Sequence, residues 1–315
     1  MFENIIFDFL VVFVSIIMLW KGADWLVDSA SEIAHSLKVS DLIIGLTVVA
    51  LGTSAPEFAV TISAAITGQT DISIGNVIGS NIFNLGFILG GTAIIRPIAT
   101  SSKLFYRDGF FLLITTALIF LLFFGFNGYD DNDSYSKIEG GILFCLLLCY
   151  IIFLFIKKDP PEEVHPETAN YKSYIFLLIG LFMIVYGGHL MVKHASNIAS
   201  YFGVSDWVIA VTIVAAGTSA PEFATSITAA LKGRHGIAVG NLIGSDLFNL
   251  LGVLGLAGMI NPSTLDQSIF DSVFLLVLMV GITLLMVRTN WKISRFEGAI
   301  LVSINLIRWY FDFTV

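Results

Sequence analysis

Two glutamates stand where an apolar chain should not tolerate them. Glu57 and Glu222 each follow a proline, Pro56 and Pro221, within the same hexapeptide GTSAPE at 52–57 and 217–222. A carboxylate inside a bilayer-length apolar run is costly and marks a functional residue by default. A proline within a helix offers no N–H to the carbonyl four residues back, and its ring clashes there. Here those carbonyls belong to Gly52 and Gly217. Unbonded backbone at bilayer depth is tolerated only where it faces protein or a water-filled cavity. The pattern predicts two broken helices that turn carbonyls of Ala50–Thr53 and Ala215–Thr218 toward a ligand. Thr53 and Ser54 share the helical face of Glu57, and Thr218 and Ser219 share that of Glu222.

Downstream stand GNVIGSNIFN (Gly75–Asn84) and GNLIGSDLFN (Gly240–Asn249). Ser80 and Asn84 are spaced i, i+4, as are Ser245 and Asn249, while Gly75, Gly79, Gly240 and Gly244 permit close helix approach. The inventory is carboxylates, hydroxyls, amide oxygens and bare carbonyls, without His or Cys. That set suits a hard cation such as Ca²⁺, which takes about 6–8 oxygens; transition metals favour imidazole or thiolate. No cofactor is expected. One buried glutamate could be a structural partner for a lysine, but two at matching positions after matching prolines argue against it. Asp24 and Asp28, with His189 and Lys193 at the equivalent later positions, are expected in polar pairs. Glu139 and Glu297 begin spans and read as structural.

The elements that carry these residues must cross a membrane. Of 315 residues, 56% are apolar and only 13% charged, about half the usual charge of a soluble domain, and mean hydropathy is +0.88. A soluble globule of this composition would expose one continuous apolar patch. The formal charge of −8 argues against nucleic acid, which needs a basic surface. Cys145 and Cys149 read as small buried hydrophobes. No cleaved signal peptide is expected, since the first residues lack a basic region and a cleavage site.

Residues 40–90 and 205–255 align without gaps, with 29 identities in 51 positions. Hydropathy gives five spans per half, near 4–34, 41–67, 72–95, 108–126 and 138–156, then 173–201, 206–231, 236–260, 270–287 and 293–312. Five is odd, so the two copies enter the bilayer from opposite sides. The fold class expected is an all-α polytopic membrane protein, ten transmembrane helices in two inverted five-helix repeats. Its parts are an N-terminal half, 1–156, a cytoplasmic linker, 157–172, and a C-terminal half, 173–315. Loops on one side carry 12 of the 16 Lys and Arg, which places that side in the cytoplasm and both termini outside. The location expected is the cell (inner) membrane, with the chain working as a monomer.

GTSAPE followed by GN-x-IGS-x-x-FN, twice and inverted, resembles the α-repeats of the sodium/calcium exchanger family, in the calcium/cation antiporter superfamily, and most closely its compact prokaryotic type. The resemblance spans the whole chain. It implies secondary active antiport, with three Na⁺ entering per Ca²⁺ leaving by alternating access, and four ion sites near the midplane. Carried over, the Ca²⁺ site comprises the side chains of Glu57 and Glu222 and the carbonyls of Thr53 and Thr218. Sodium sites comprise Ala50, Ser54 and Ser245 on one side and Ala215, Ser219 and Ser80 on the other. Asn84 and Asn249 form the fourth corner, and the first and sixth spans slide as a pair. Some relatives carry Asp at the position of Asn249; here an Asp stands three residues earlier, at Asp246, directed about 100° away from Ser245. That disfavours dependence on K⁺, and whether Asp246 reaches the cavity stays open.

Other functions fit less well. Proton/calcium exchangers usually read GN-x-x-E in the third and eighth spans, and that glutamate is missing here. A hydrolase built on Ser54 or Ser219 lacks a base in its motif, so no enzyme is expected. A passive channel with two midplane carboxylates would hold Ca²⁺ too tightly to conduct.

Overall fold

The computed structural model describes residues 2–125, 128–130, 133–157, 169–204 and 215–314. Its helices are α1 (Phe2–Ser36), α2 (Asp41–Thr53), α3 (Ala55–Ile66), α4 (Asp71–Ile95), α5 (Leu104–Phe124), α6 (Lys137–Ile156), α7 (Tyr171–Tyr201), α8 (Ala215–Thr218), α9 (Ala220–Leu231), α10 (His235–Ile260), α11 (Gln267–Arg288) and α12 (Arg295–Thr314). Seven of these are long and apolar enough to cross a membrane, or eight if the bent pair α2–α3 is one span. The chain is thus an all-helical, multi-pass membrane protein. Most of the linker expected at 157–172, and the start of the span expected at 206–231, lie outside the described residues.

Helix ends follow local chemistry. Ser40 opens α2 by accepting the Ile43 N–H at 3.3 Å. Ser136 and Glu139 form a reciprocal cap on α6, as Ser294 and Glu297 do on α12. These bonds satisfy N–H groups that have no partner within their helices, so both glutamates have structural roles. Helix ends agree with hydropathy to within a few residues, with two shifts. The π-helical turn Leu104–Gly109 starts α5 earlier. Ile293 lies in a short strand rather than in the last helix.

The strands are four pairs of residues, β1 (Ile98–Ala99), β2 (Ser134–Tyr135), β3 (Ser263–Thr264) and β4 (Lys292–Ile293). β1 pairs antiparallel with β4, and β2 with β3. Each pair clips a loop of the first half to a loop of the second. The β1–β4 clip joins two lysine- and arginine-bearing loops, and the β2–β3 clip follows the acidic run at the other end.

Packing divides into two apolar clusters. The larger runs through α2, α4, α5, α6, α10, α11 and α12. The smaller holds α1 and α7 together against the start of α2, α9 and the start of α10. α1 and α7 pack along much of their length, and glycines set their approach. A Cβ at Gly180 would lie 2.7 Å from the Gly22 carbonyl oxygen and 2.8 Å from the Leu26 nitrogen. Outward, α1 shows Phe7, Leu10, Phe13 and Trp20 and α7 shows Leu178 and Phe182, a surface suited to lipid.

One side-chain expectation fails and another holds. Cys145 and Cys149 are exposed rather than buried. The inward stripe of α6 is Gly140, Leu143, Leu147, Tyr150 and Leu154, so the cysteines fall on the other face, where lipid accommodates a small apolar side chain equally well. Asp24 and Asp28 do stand in polar pairs across the two halves, with Lys232 at 2.5 and 2.7 Å. α1 and α7 are joined elsewhere, by Asp8 and His194 at 2.6 Å and by the Ser173 hydroxyl on Glu32.

Candidate cation site

Both proline-bearing motifs break their helices in the same way. Ser54 leaves the helical conformation, with φ −77° and ψ 8°, and α2 and α3 meet at a bend of 51°. Ser219 adopts φ −88° and ψ 10° between α8 and α9. Across the breaks, Ser54 accepts the Phe58 N–H at 3.0 Å and Ser219 accepts that of Phe223 at 3.1 Å. The Ala50 carbonyl is partly engaged, accepting the Ser54 N–H at 3.0 Å and the Thr53 hydroxyl at 3.3 Å. Ala215 opens α8. Glu57 and Glu222 lie in the first turns of α3 and α9, where the helix dipole favours a negative charge.

The breaks bring the two halves together. The Ser54 hydroxyl donates to Glu222 Oε1 at 3.2 Å, and the Ser219 hydroxyl donates to Glu57 Oε1 at 3.0 Å. Thr53 and Ser245 hydroxyls also interact with the Glu222 carboxylate, and that of Thr218 with Glu57. Both glutamates are 1% exposed, and the charge of Glu222 acts on Glu57 as repulsion. The second oxygen of each, Oε2, is buried without a hydrogen-bond partner. Two buried carboxylates without a counter-charge are strongly unfavourable. Among the described residues, no three His, Cys, Asp or Glu side chains converge on one point. What the geometry offers a cation at this point is two carboxylates supplemented with hydroxyl, amide and backbone oxygens.

α4 and α10 frame this pair. Ser80, Asn84, Ser245 and Asn249 are all buried on them, and Thr53 and Ser245 lie 3.3 Å apart. Gly240 and Gly244 let α10 press on α2, where a Cβ would lie 2.8 Å from the Leu42 carbonyl oxygen and 2.7 Å from the Leu46 Cα.

Four further residues, not picked out as site residues by sequence reasoning, complete the polar interior. Asn76 donates to the Thr61 hydroxyl at 2.9 Å and to the Glu57 carbonyl at 3.3 Å. Asn241 donates to the Ser226 hydroxyl at 3.0 Å and to the Glu222 carbonyl at 3.4 Å, and also accepts from Thr53. Their presence in both GN dipeptides was the available signal. Asn81 and Asp246 are each 0% exposed. Asn84 Nδ2 donates to Asp246 Oδ1 at 3.0 Å, and Asn249 Nδ2 donates to Asn81 Oδ1 at 3.2 Å. The question left by the sequence is answered: Asp246 faces the interior, beside Asn84.

Known proteins match most of the length of this chain. The chain is 33% identical over 335 residues to the sodium/calcium exchanger MaX1 of Methanosarcina acetivorans, covering 94% of this chain and 95% of that protein. It is 31% identical over 282 residues to the inner membrane protein YrbG of Escherichia coli, covering 85% of each. A solved structure of the sodium-calcium exchanger NCX_Mj superposes with a TM-score of 0.84 at 30% identity, over 96% of this chain and 98% of that one. Residues 7–156 and 172–312 match the sodium/calcium exchanger protein family. The chain is a transmembrane antiporter and belongs to the sodium/calcium exchanger family.

Proposed function

We propose that this protein exchanges Na⁺ for Ca²⁺, three Na⁺ inward per Ca²⁺ outward, at a site centred on Glu57 and Glu222. The observation that carries the reading is the crossed pair of hydroxyl–carboxylate bonds, Ser54 to Glu222 and Ser219 to Glu57, with Oε2 of each glutamate left free. Two carboxylates neutralise one Ca²⁺, and oxygen-only ligands suit Ca²⁺ and Na⁺ alike. Thr53 and Thr218 complete the Ca²⁺ site. Ala50, Ser54 and Ser245, and Ala215, Ser219 and Ser80, hold Na⁺. Asn84 and Asn249 close the cavity.

The wider reading is ten crossings in two inverted halves, 1–156 and 173–315, joined by a cytoplasmic linker, with both termini outside. In the match of 29 identical residues, every site position in one half has its counterpart in the other. Alternating access then amounts to α1 and α7 moving as a pair over the other helices, a reading supported by their glycine-lined packing along much of their length. One chain contains the whole site, so a monomer suffices.

The test is ⁴⁵Ca²⁺ uptake by proteoliposomes. Uptake should require Na⁺ inside and persist when a protonophore collapses any proton gradient. Uptake driven by a proton gradient without Na⁺ would assign the chain to proton/calcium exchange.

A further inference from the structure

We propose that Asp246 is a third carboxylate of the cavity and holds a monovalent cation beside Asn84 and Asn249, one that binds together with Ca²⁺ rather than in its place. This rests on the exchange reading above. The internal repeat matches Asn84 with Asn249 and Asn81 with Asp246. Of these four residues, only Asp246 breaks the match, and it does so by adding a charge.

The hydrogen bonds around it account for the donors and leave acceptors over. Asn81 Nδ2 donates to the Asp246 carbonyl at 3.2 Å, Asn84 Nδ2 to Asp246 Oδ1 at 3.0 Å, and Asn249 Nδ2 to Asn81 Oδ1 at 3.2 Å. Asp246 Oδ2, Asn84 Oδ1 and Asn249 Oδ1 remain buried without partners among the described residues. The charge acting on Asp246 is that of Glu222, and it is repulsive. Segment 205–214, SDWVIAVTIV, lies outside the described residues and contains no Lys, Arg or His. A buried carboxylate whose only side-chain donor among the described residues is a neutral amide is uncompensated by them.

A strut between helices does not need that charge. Asn81, at the matching position, accepts from Asn249 through an amide oxygen, so an asparagine at 246 could accept from Asn84 in the same way. The charge balance identifies what is bound. Glu57, Glu222 and Asp246 together carry three negative charges, and the cation at Asp246 stays bound through the cycle while three Na⁺ exchange for Ca²⁺ at the other sites. Ca²⁺ leaves one negative charge over, and a single monovalent cation removes it. One carboxylate with amide oxygens is a site for one positive charge.

The experiment is equilibrium ⁴⁵Ca²⁺ binding to the purified full-length protein at fixed pH, with NaCl replaced stepwise by N-methylglucamine chloride. In the wild type, Ca²⁺ affinity should rise about tenfold as Na⁺ is first added and then fall as Na⁺ competes, giving a bell-shaped curve. In Asp246→Asn, Ca²⁺ should bind without Na⁺, and Na⁺ should only displace it. The double variant Asp246→Asn with Asn249→Asp returns a carboxylate to the same compartment and should restore the bell. A monotonic curve shared by wild type and Asp246→Asn overturns the proposal. So does loss of all Ca²⁺ binding in a monodisperse Asp246→Asn, aggregation of both variants, or a bell that follows pH and not Na⁺. Glu57→Gln serves as the control for the exchange reading. If it binds Ca²⁺ normally, that reading fails, and Asp246 is then judged by whether Na⁺ stabilises the wild type against heat more than Asp246→Asn.

Discussion

The site has two layers, and they treat the internal symmetry differently. At the helix breaks each half mirrors the other: Ser54 bonds Glu222 at 3.2 Å and Ser219 bonds Glu57 at 3.0 Å. Among the asparagines of α4 and α10 the mirror fails at one atom type, since Asp246 has a carboxyl group where Asn81 has an amide. A site that must open to both sides of a membrane gains from ligands shared equally by two inverted halves. A charge count has no such requirement and can be set by one residue. Geometry is thus duplicated, and charge is adjusted locally.

The comparison breaks first if the glutamates prove unequal. Removing one member of a buried ion pair costs about 3–5 kcal/mol, so Glu57→Gln and Glu222→Gln should each lower Na⁺-driven ⁴⁵Ca²⁺ uptake more than about 100-fold while the protein still inserts and runs as a single species. Normal flux in either variant would remove the carboxylate pair from the site.

A new carboxylate should sharpen the contrast in the second layer. Asn84→Asp sets one directly against Asp246 Oδ1, which now accepts from Asn84. Asn249→Asp sets it against the Asn81 amide, which can turn its N–H₂ to meet it. Like charges at about 4 Å repel by a few kcal/mol in partly screened protein. In the absence of Na⁺, Asn84→Asp should therefore lower the thermal midpoint more than Asn249→Asp, and added Na⁺ should recover most of the loss. Equal midpoints for the two variants would show that Asp246 carries no charge there.

The first layer was legible because its chemistry is local. A proline next to a glutamate in an apolar run dictates a helix break and a buried charge, and α2–α3 bends at Ser54 as the spacing required. Asp246 was not, because its direction about the helix depends on how α10 sits against α4, which only the tertiary packing fixes. Lys232 was missed for the same reason. That Asp24 and Asp28 stand in polar pairs was legible, but their partner, a lysine at the far end of α9, was not. The cysteines were misassigned because apolarity does not distinguish a lipid-facing surface from a core.

The asparagines that brace the breaks test whether the geometry really is duplicated. Asn76 and Asn241 each donate to a hydroxyl one helix away, and each reaches the carbonyl of a site glutamate. Loss of a buried hydrogen bond with its partner left in place costs about 1–3 kcal/mol. Asn76→Ala and Asn241→Ala should each weaken Ca²⁺ affinity by about tenfold, without changing the Na⁺ dependence. If one variant is silent, the bracing is not shared by the two halves.

The smallest effect concerns a second asymmetry, outside the ion layer. Lys232 ends α9 and clasps Asp24 and Asp28 of α1, and also donates to the Asp24 carbonyl at 3.1 Å. Its counterpart in the first half is Thr67, whose hydroxyl only caps its own helix on the Ser63 carbonyl at 2.9 Å. The clasp therefore ties α1 to the other helices from one half alone. Its lysine is about a quarter exposed, so solvent screening holds its worth to about 0.5–1 kcal/mol. Lys232→Thr makes the two halves alike. If movement of α1 limits the cycle, releasing it should raise the initial rate of Na⁺-driven ⁴⁵Ca²⁺ uptake about two- to fivefold and leave the Ca²⁺ affinity unchanged. A shift in affinity instead of rate would mean that the clasp shapes the site rather than restraining the helix.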